Sequence, residues 1–140
     1  EFSELLKKSS LSTPDSVGIM LGAKLQDKQF KERIPGQSYF REIINLSHEK
    51  GYSIYLLGAA PGIPEKAKEH LEKLFTNVNI VGVHHGYFNE KEEKDIIDQI
   101  NDLEPNVLFV ALGAPRQEKW IAKNQDKLKV DVAARTRWYF

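Results

Sequence analysis

The sequence has no cysteine, no net charge and no long apolar run. Without cysteine there is no disulfide scaffold, thiol catalysis or cysteine-ligated zinc site. The 20 lysines and arginines balance 20 aspartates and glutamates. The chain as a whole is therefore no electrostatic footprint for DNA or RNA, and no nucleic-acid partner is expected. No apolar run approaches the ~20 residues of a membrane span, and no signal-peptide pattern opens the chain. Internal repeats and low-complexity stretches are missing too. What is there is 140 residues, 41% of them apolar. That length suits one ordinary domain burying about 68–70% of its unfolded surface. The expectation is a soluble, cytoplasmic α/β domain, and composition alone says nothing about chemistry.

The informative pattern is alternation. Short apolar runs at Ile54–Leu57, Ile80–Val83, Val107–Leu112 and Val130–Ala134 are too short for helices and rich in β-branched residues, so they predict strands. Charged stretches with helical spacing separate them. Ile63, Ala67, Leu71, Leu74 and Phe75 share one helical face. So do Ile96, Ile97, Ile100 and Leu103, and then Trp120, Ile121 and Leu128, with Lys/Glu-rich faces opposite. This order implies βαβ crossovers and a Rossmann-like parallel sheet of about four or more strands, covered by helices on both faces as an α/β/α sandwich. Turn chemistry agrees. Pro64 suits a first helical turn, Asn89 with Glu92 resembles a capping box, and Gly51 suits a helix C-terminus.

The first 50 residues supply helices but no clear strand. They predict a short helix near Ser3–Ser9, a break at Thr13-Pro14-Asp15, and an apolar helix from Val17 to Leu25. A loop through Pro35-Gly36 leads to an amphipathic helix carrying Tyr39, Phe40, Ile43, Ile44 and Leu46. The chain thus divides into a helical segment 1–50, a βαβ region 51–134 and an irregular tail 135–140, read as one core domain. Four strands with an abrupt end suggest a piece of a larger unit. An uncovered parallel edge favours association, and a homo-oligomer is one way to cover it.

Ligands of open parallel α/β sheets bind beyond the carboxyl ends of the strands. Three loops leave those ends: Gly58-Ala59-Ala60-Pro61-Gly62, His84-His85-Gly86-Tyr87-Phe88, and Gly113-Ala114-Pro115-Arg116-Gln117-Glu118. Each joins glycine to a helix N-terminus, a combination that suits a phosphate. A nucleotide diphosphate is a reasonable ligand class. The first loop matches neither the P-loop nor the dinucleotide fingerprint, and spacing alone favours three ordinary βα turns.

Individual residues read two ways. Asp15 is a good helix N-cap, and a capping carboxylate at a cleft edge can also act as a general base. His84 and His85, adjacent at a strand end, should point to opposite sides and so not share one ion. No metal-ligand spacing occurs, and a packed or surface histidine pair is expected. Arg116 to Trp120 reads either as an exposed first turn or as a polar cluster facing a ligand. Arg33 reads as a solvated or ion-paired arginine before it reads as a functional one.

Five ordered segments carry a family resemblance. Asn106-Val107-Leu108-Phe109-Val110-Ala111-Leu112-Gly113-Ala114-Pro115-Arg116-Gln117-Glu118-Lys119-Trp120-Ile121 resembles the signature of the WecG/TagA/CpsF family of bacterial glycosyltransferases. Pro14-Asp15-Ser16-Val17-Gly18-Ile19 resembles its Pro-Asp-Gly-x-Gly element, and Glu32-Arg33-Ile34-Pro35-Gly36 its Glu-Arg-x-x-Gly element. Tyr55–Ala59 and Val81–Phe88 complete the set, and the resemblance covers roughly residues 12–134. It implies a Rossmann-like fold. It also implies inverting, metal-independent transfer of an N-acetylmannosamine-type sugar. The donor would be a UDP-sugar and the acceptor a polyprenyl-diphosphate-linked N-acetylglucosamine. That reaction serves wall teichoic acid or other surface-polysaccharide synthesis at the inner face of the plasma membrane. No cofactor is implied.

Carried over position by position, the resemblance implies that Asp15 is the general base and Gln117 the second catalytic residue, in the sugar-binding cleft. Arg33, Gly58, Ala59, Gly86, Tyr87, Gly113, Ala114, Arg116 and Glu118 become the substrate-binding set, with backbone N–H groups stabilising the departing diphosphate. Several positions depart from the pattern. Ser16 stands where the family has glycine, and Gly36-Gln37-Ser38 lacks the family's following aspartate. The family carries roughly fifty residues before the Pro-Asp element. After the last strand it has a Gly-Val-Gly-x-x-Phe-Asp segment and a basic, apolar C-terminal appendage that contacts the membrane, where this chain has Arg135–Phe140. The expectation is the middle of a longer transferase. A catalytically inactive, truncated UDP-binding domain of the same fold is the alternative. A flavodoxin-like or signalling module would leave Gly113–Ile121 unexplained.

Overall fold

A computed structural model describes residues 36–137 of the chain. In order they form α1 (Gly36–Lys50), β1 (Ser53–Gly58), α2 (Ile63–Leu74), β2 (Asn79–His84), α3 (Glu90–Leu103), β3 (Val107–Ala111), α4 (Arg116–Asn124) and β4 (Val132–Arg135). The helices expected at Ser3–Ser9 and Val17–Leu25, the Thr13–Asp15 break, Ser16 and Arg33 lie outside the described residues.

The four strands pair in parallel in the order β2-β1-β3-β4. Their side chains alternate between two cores. Ile54, Leu56, Ile80, Val107, Phe109 and Ala134 face α1 and α2, meeting Phe40, Ile44, Ala67 and Leu71. Tyr55, Leu57, Leu108 and Val110 face α3 and α4, meeting Ile96, Ile97, Ile100 and Trp120. Both faces of β1 and β3 are buried, so these central strands read as continuous apolar runs in the sequence. The helix faces follow from strand order. The chain moves one way along the sheet from β1 to β2 and the other way from β2 through β3 to β4. Right-handed crossovers then put α2 on one face and α3 and α4 on the other, as the two clusters show. The expected three-layer α/β/α architecture is present.

The local signals hold as well. Pro64 lies in the first turn of α2. Asn89 and Glu92 form a full capping box, Glu92 N–H donating to Asn89 Oδ1 at 2.9 Å and Asn89 N–H to Glu92 Oε2 at 2.8 Å. Gly51, with φ 75°, closes α1 through a 2.8 Å bond from its N–H to the Ser47 carbonyl.

Tertiary packing corrects several boundaries and faces. Gly36 is already helical. The buried stripe of α1 is Phe40, Ile44 and Ser47, and Leu46 is 40% exposed. Ser47 replaces it because its hydroxyl donates to the Tyr52 carbonyl as the chain turns into β1. Leu74 and Leu103 sit at the carboxyl ends of their helices and are exposed, as is Ile63. α4 stops at Asn124, where Lys127 N–H and Leu128 N–H close on its carbonyl, so Leu128 packs from the following loop. β3 ends at Ala111, one residue early. β4 starts at Val132 rather than Val130, because the Asn106 carbonyl takes the N–H groups of Asp131 and Val132 at 3.1 and 3.0 Å. It also takes in Arg135, the first residue of the expected irregular tail.

Asn106 organises the amino end of the sheet. Its Oδ1 accepts from Ser53 N–H at 2.9 Å and Ser53 Oγ at 3.1 Å, and its Nδ2 donates to Asp131 Oδ2 at 2.8 Å. One side chain therefore sets the starts of β1, β3 and β4 together. In the middle of the sheet Tyr55 is fully buried. Its ring occupies the space above Gly82, where a Cβ would come within 2.5 Å of it, and its hydroxyl donates to Gln99 Oε1 at 3.0 Å.

Two predictions follow from these contacts. Asn106→Ala leaves the Ser53 N–H without its partner and lowers stability by about 2 kcal/mol in urea unfolding. Burial pushes the Tyr55 hydroxyl from 10.0 up to about 12. The folded state then keeps its proton where the unfolded chain has lost it. Stability falls as pH rises from about 10 to about 12 and is untouched by this group below that window. Urea unfolding at about pH 9 and about pH 11.5 should show Tyr55→Phe escaping roughly 2 kcal/mol of the loss. An equal loss in both proteins would assign the alkaline instability elsewhere.

Candidate functional site

The strand order reverses direction between β1 and β3, so the sheet's topological switch point lies between their carboxyl ends. The loops after β1 and β2 meet the end of β3 there through the backbone. Ala59 N–H donates to the Ala111 carbonyl at 3.0 Å, and Gly86 N–H donates to the Ala59 carbonyl at 2.8 Å. Gly58 makes the first approach possible. Its φ is 133°, and a Cβ there would stand 2.3 Å from the Ala111 oxygen and 2.5 Å from its carbonyl carbon. Gly86 is buried, and a Cβ would press on Leu112 Cδ2 at 2.8 Å. Ala59 itself holds a left-handed φ of 62°, a strained conformation for a residue with a side chain.

The third loop holds its shape through Gln117. This side chain is 8% exposed. Its Oε1 accepts from Gly113 N–H at 3.2 Å, while its own backbone N–H donates to the Gly113 carbonyl at 2.9 Å. Ala114 is exposed and joined to Pro115 by a cis peptide bond. Glu118 turns inward, only 9% of its side chain exposed, and its Oε1 accepts from Arg135 Nη1 at 3.0 Å. Arg116 is exposed at the start of α4, with its guanidinium 5.2 Å from the centre of the Phe88 ring. Tyr87 is 69% exposed beside it. All the expected site residues from Gly58 to Glu118 thus sit at the carboxyl edge. Gly58, Ala59 and Gly86 are locked together, Gln117 and Gly113 form a second unit, and Tyr87 projects outward. Asp15 and Arg33 lie outside the described residues.

The histidine pair is arranged differently from expectation. The two rings meet at a 45° tilt with centroids 4.4 Å apart, because the strand ends at His84 and His85 belongs to the turn. The His85 carbonyl can only accept, so its 2.8 Å contact puts a proton on His84 Nδ1. Tyr87 N–H donates to His85 Nδ1 at 3.2 Å, leaving the neutral ring's proton on Nε2. A shallow groove of about 400 Å³ runs from this pair along α3, lined by Glu92, Asp95, Ile96 and Gln99. Among the described residues no three His, Asp or Glu side chains converge to hold a metal ion. A second groove, about 450 Å³, lies around Asn106 and Asp131 at the amino end of the sheet. Its Asn106 and Asp131 side chains are bonded to each other, and it is the wrong end for a ligand in this fold.

Phe88 and Arg135 were not among the sequence-derived site residues. Phe88 meets an imidazole ring and a guanidinium, 6.2 Å from His84 edge-on and under Arg116. Its place at the end of Val81–Phe88, one of the segments of the resemblance, was the available signal. Arg135 gave none, because its partner Glu118 is 17 positions away and meets it only through the β3–β4 pairing.

The Glycosyl transferase WecG/TagA/CpsF family profile matches residues 1–136 of the chain. Relatives include the N-acetylglucosaminyldiphosphoundecaprenol N-acetyl-beta-D-mannosaminyltransferases of Staphylococcus aureus strains NCTC 8325 / PS 47 and COL. Each is 27% identical over 129 residues, which is 92% of this chain and 50% of the relative. The chain therefore spans about half the length of the curated relatives it matches.

The close approach at Gly58 is directly testable. Gly58→Ala forces β1 and β3 apart and is expected to cost about 3 kcal/mol or more in urea unfolding, beyond an ordinary loop glycine. Gly113→Ala, with positive φ but open space around it, should cost only about 1 kcal/mol.

Proposed function

The chain belongs to the WecG/TagA/CpsF glycosyl transferase family. From that premise we propose that it transfers an N-acetylmannosamine-type sugar from a UDP donor to an undecaprenyl-diphosphate-linked N-acetylglucosamine. The observation that carries this reading is the meeting of three βα loops at the switch point, each leading into a helix N-terminus with its main-chain N–H groups, with open space beside Gly113 and the exposed Arg116 at the start of α4. Phosphate oxygens are satisfied by such groups at helix N-termini. The names of the staphylococcal relatives supply the sugar and the acceptor. The lipid on that acceptor puts the reaction at the inner membrane surface. Among the described residues no helix is long and apolar enough to cross a membrane.

The chemistry is an inverting displacement. The acceptor hydroxyl oxygen attacks the sugar's C1 from the face opposite the diphosphate. The C1–oxygen bond to UDP breaks, and its electron pair leaves with UDP. Asp15 takes the hydroxyl proton. Backbone N–H groups of the loops after β1 and β3, with the Arg116 guanidinium, stabilise the charge growing on the diphosphate, so no metal is required in this scheme. Gln117 faces the sugar. A catalytically silent UDP-binding domain is the second reading, favoured by Ser16 and by the missing aspartate after Gly36.

UDP at a hundredfold excess over its dissociation constant should stabilise the protein by about 2.7 kcal/mol, raising the melting temperature by several degrees. No shift with UDP, UDP-N-acetylmannosamine or UDP-N-acetylglucosamine would remove both readings. Asp15→Ala should reduce transfer about 10²–10⁴-fold while UDP affinity is kept. Undiminished transfer by that variant would sink the base assignment, and UDP binding with no transfer by the unsubstituted protein would select the silent domain.

A further inference from the structure

We propose that Glu118 and Arg135 are positioning residues that fix which way the Gln117 side-chain amide points, so that Gln117 offers a donor, not an acceptor, to the ligand. The proposal rests on reading the carboxyl edge as the sugar-nucleotide site.

A glutamine amide has an acceptor end and a donor end, and a packed protein must choose between the two orientations. Here Oε1 takes the Gly113 N–H at 3.2 Å, and Nε2 stands 3.5 Å from Glu118 Oε1. The second contact is long for a hydrogen bond, but its sign is decisive. A carboxylate oxygen only accepts. If the amide turned over, its oxygen would face the carboxylate and its N–H would face the Gly113 N–H. Both contacts would be repulsive. Glu118 therefore holds the observed orientation as long as it stays in place.

Arg135 keeps it in place. Its Nη1 donates to the same Oε1 at 3.0 Å. The carboxylate has little else: its Oε2 is buried with no hydrogen-bond partner among the described residues. An exposed ion pair contributes little. This one is exposed only on the arginine side, 37% against 9% for Glu118, so losing Arg135 leaves a buried charge without compensation. The chain of contacts runs from the end of β4 through Glu118 and Gln117 to Gly113, and so to the loop that follows β3.

This orientation sets the ligand chemistry. With Oε1 committed to Gly113 and one Nε2 proton turned to Glu118, the remaining Nε2 proton is what Gln117 can present. It suits an acceptor oxygen of the ligand, such as a sugar hydroxyl, an N-acetyl carbonyl or a phosphate oxygen.

The test is hydrogen exchange by NMR on the full chain, combined with UDP calorimetry. Glu118→Gln is isosteric but no longer dictates the amide orientation. It should raise exchange at the Gly113 N–H about tenfold while core amides such as those of Ile54 and Phe109 are unchanged, and weaken UDP binding about tenfold. Arg135→Ala should do the same or more, and Arg135→Lys should restore most of both. Unchanged Gly113 exchange in Glu118→Gln and Arg135→Ala overturns the proposal, as does exchange raised equally throughout the sheet. If the unsubstituted protein fails to bind UDP, the donor-site reading falls, and Gly113 exchange still decides the positioning role. Should Arg135→Ala not fold, Glu118→Gln and Arg135→Lys carry the decision.

Discussion

The carboxyl ends of β1 and β3 approach so closely that no side chain fits between them. A methyl group on Gly58 would lie 2.3 Å from the Ala111 oxygen, inside any tolerable contact. The closeness lets Ala59 N–H reach the Ala111 carbonyl, and the Ala59 carbonyl in turn receives the Gly86 N–H. The loops after β1 and β2 and the end of β3 thus become one backbone surface. The strain of Ala59 at positive φ is the local cost, and the paired backbone groups on both sides offset it. Everything placed at this edge, from the histidine turn to the start of α4, takes its position from that junction.

The opposite end is held by different means. There a single side chain, Asn106, satisfies donors and acceptors of Ser53 and Asp131 and so registers three strands. Between the two ends lie two apolar layers with no shared side chains, one under α1 and α2 and one under α3 and α4. The sheet is thus pinned by polar contacts at its amino end and by backbone contacts at its carboxyl end. At the carboxyl end glycine, rather than a side-chain amide, does the joining.

The polar groups of the site are arranged by commitment. Gln117 spends its oxygen on Gly113, Glu118 spends one oxygen on Arg135, and Arg116 lies over Phe88.

Alternation of short apolar runs with amphipathic stretches was enough, in sequence, to set the strands, the helices and the three layers, because a parallel sheet buried on both faces leaves no other periodicity. Pro64, Gly51 and the Asn89–Glu92 box were legible because capping acts over three or four residues. So were the glycine loops and the ordered segments that carry the family resemblance. Three things were not: the exposure of Leu46 and Leu74, the ring contact of His84 with His85, and the pairing of Arg135 with Glu118. Each depends on where an element ends against a neighbour far along the chain. Sequence fixes local torsional preference and the side that seeks burial. Only the folded sheet decides which ends meet, because contact between residues 17 or 53 positions apart is set by strand register and not by spacing.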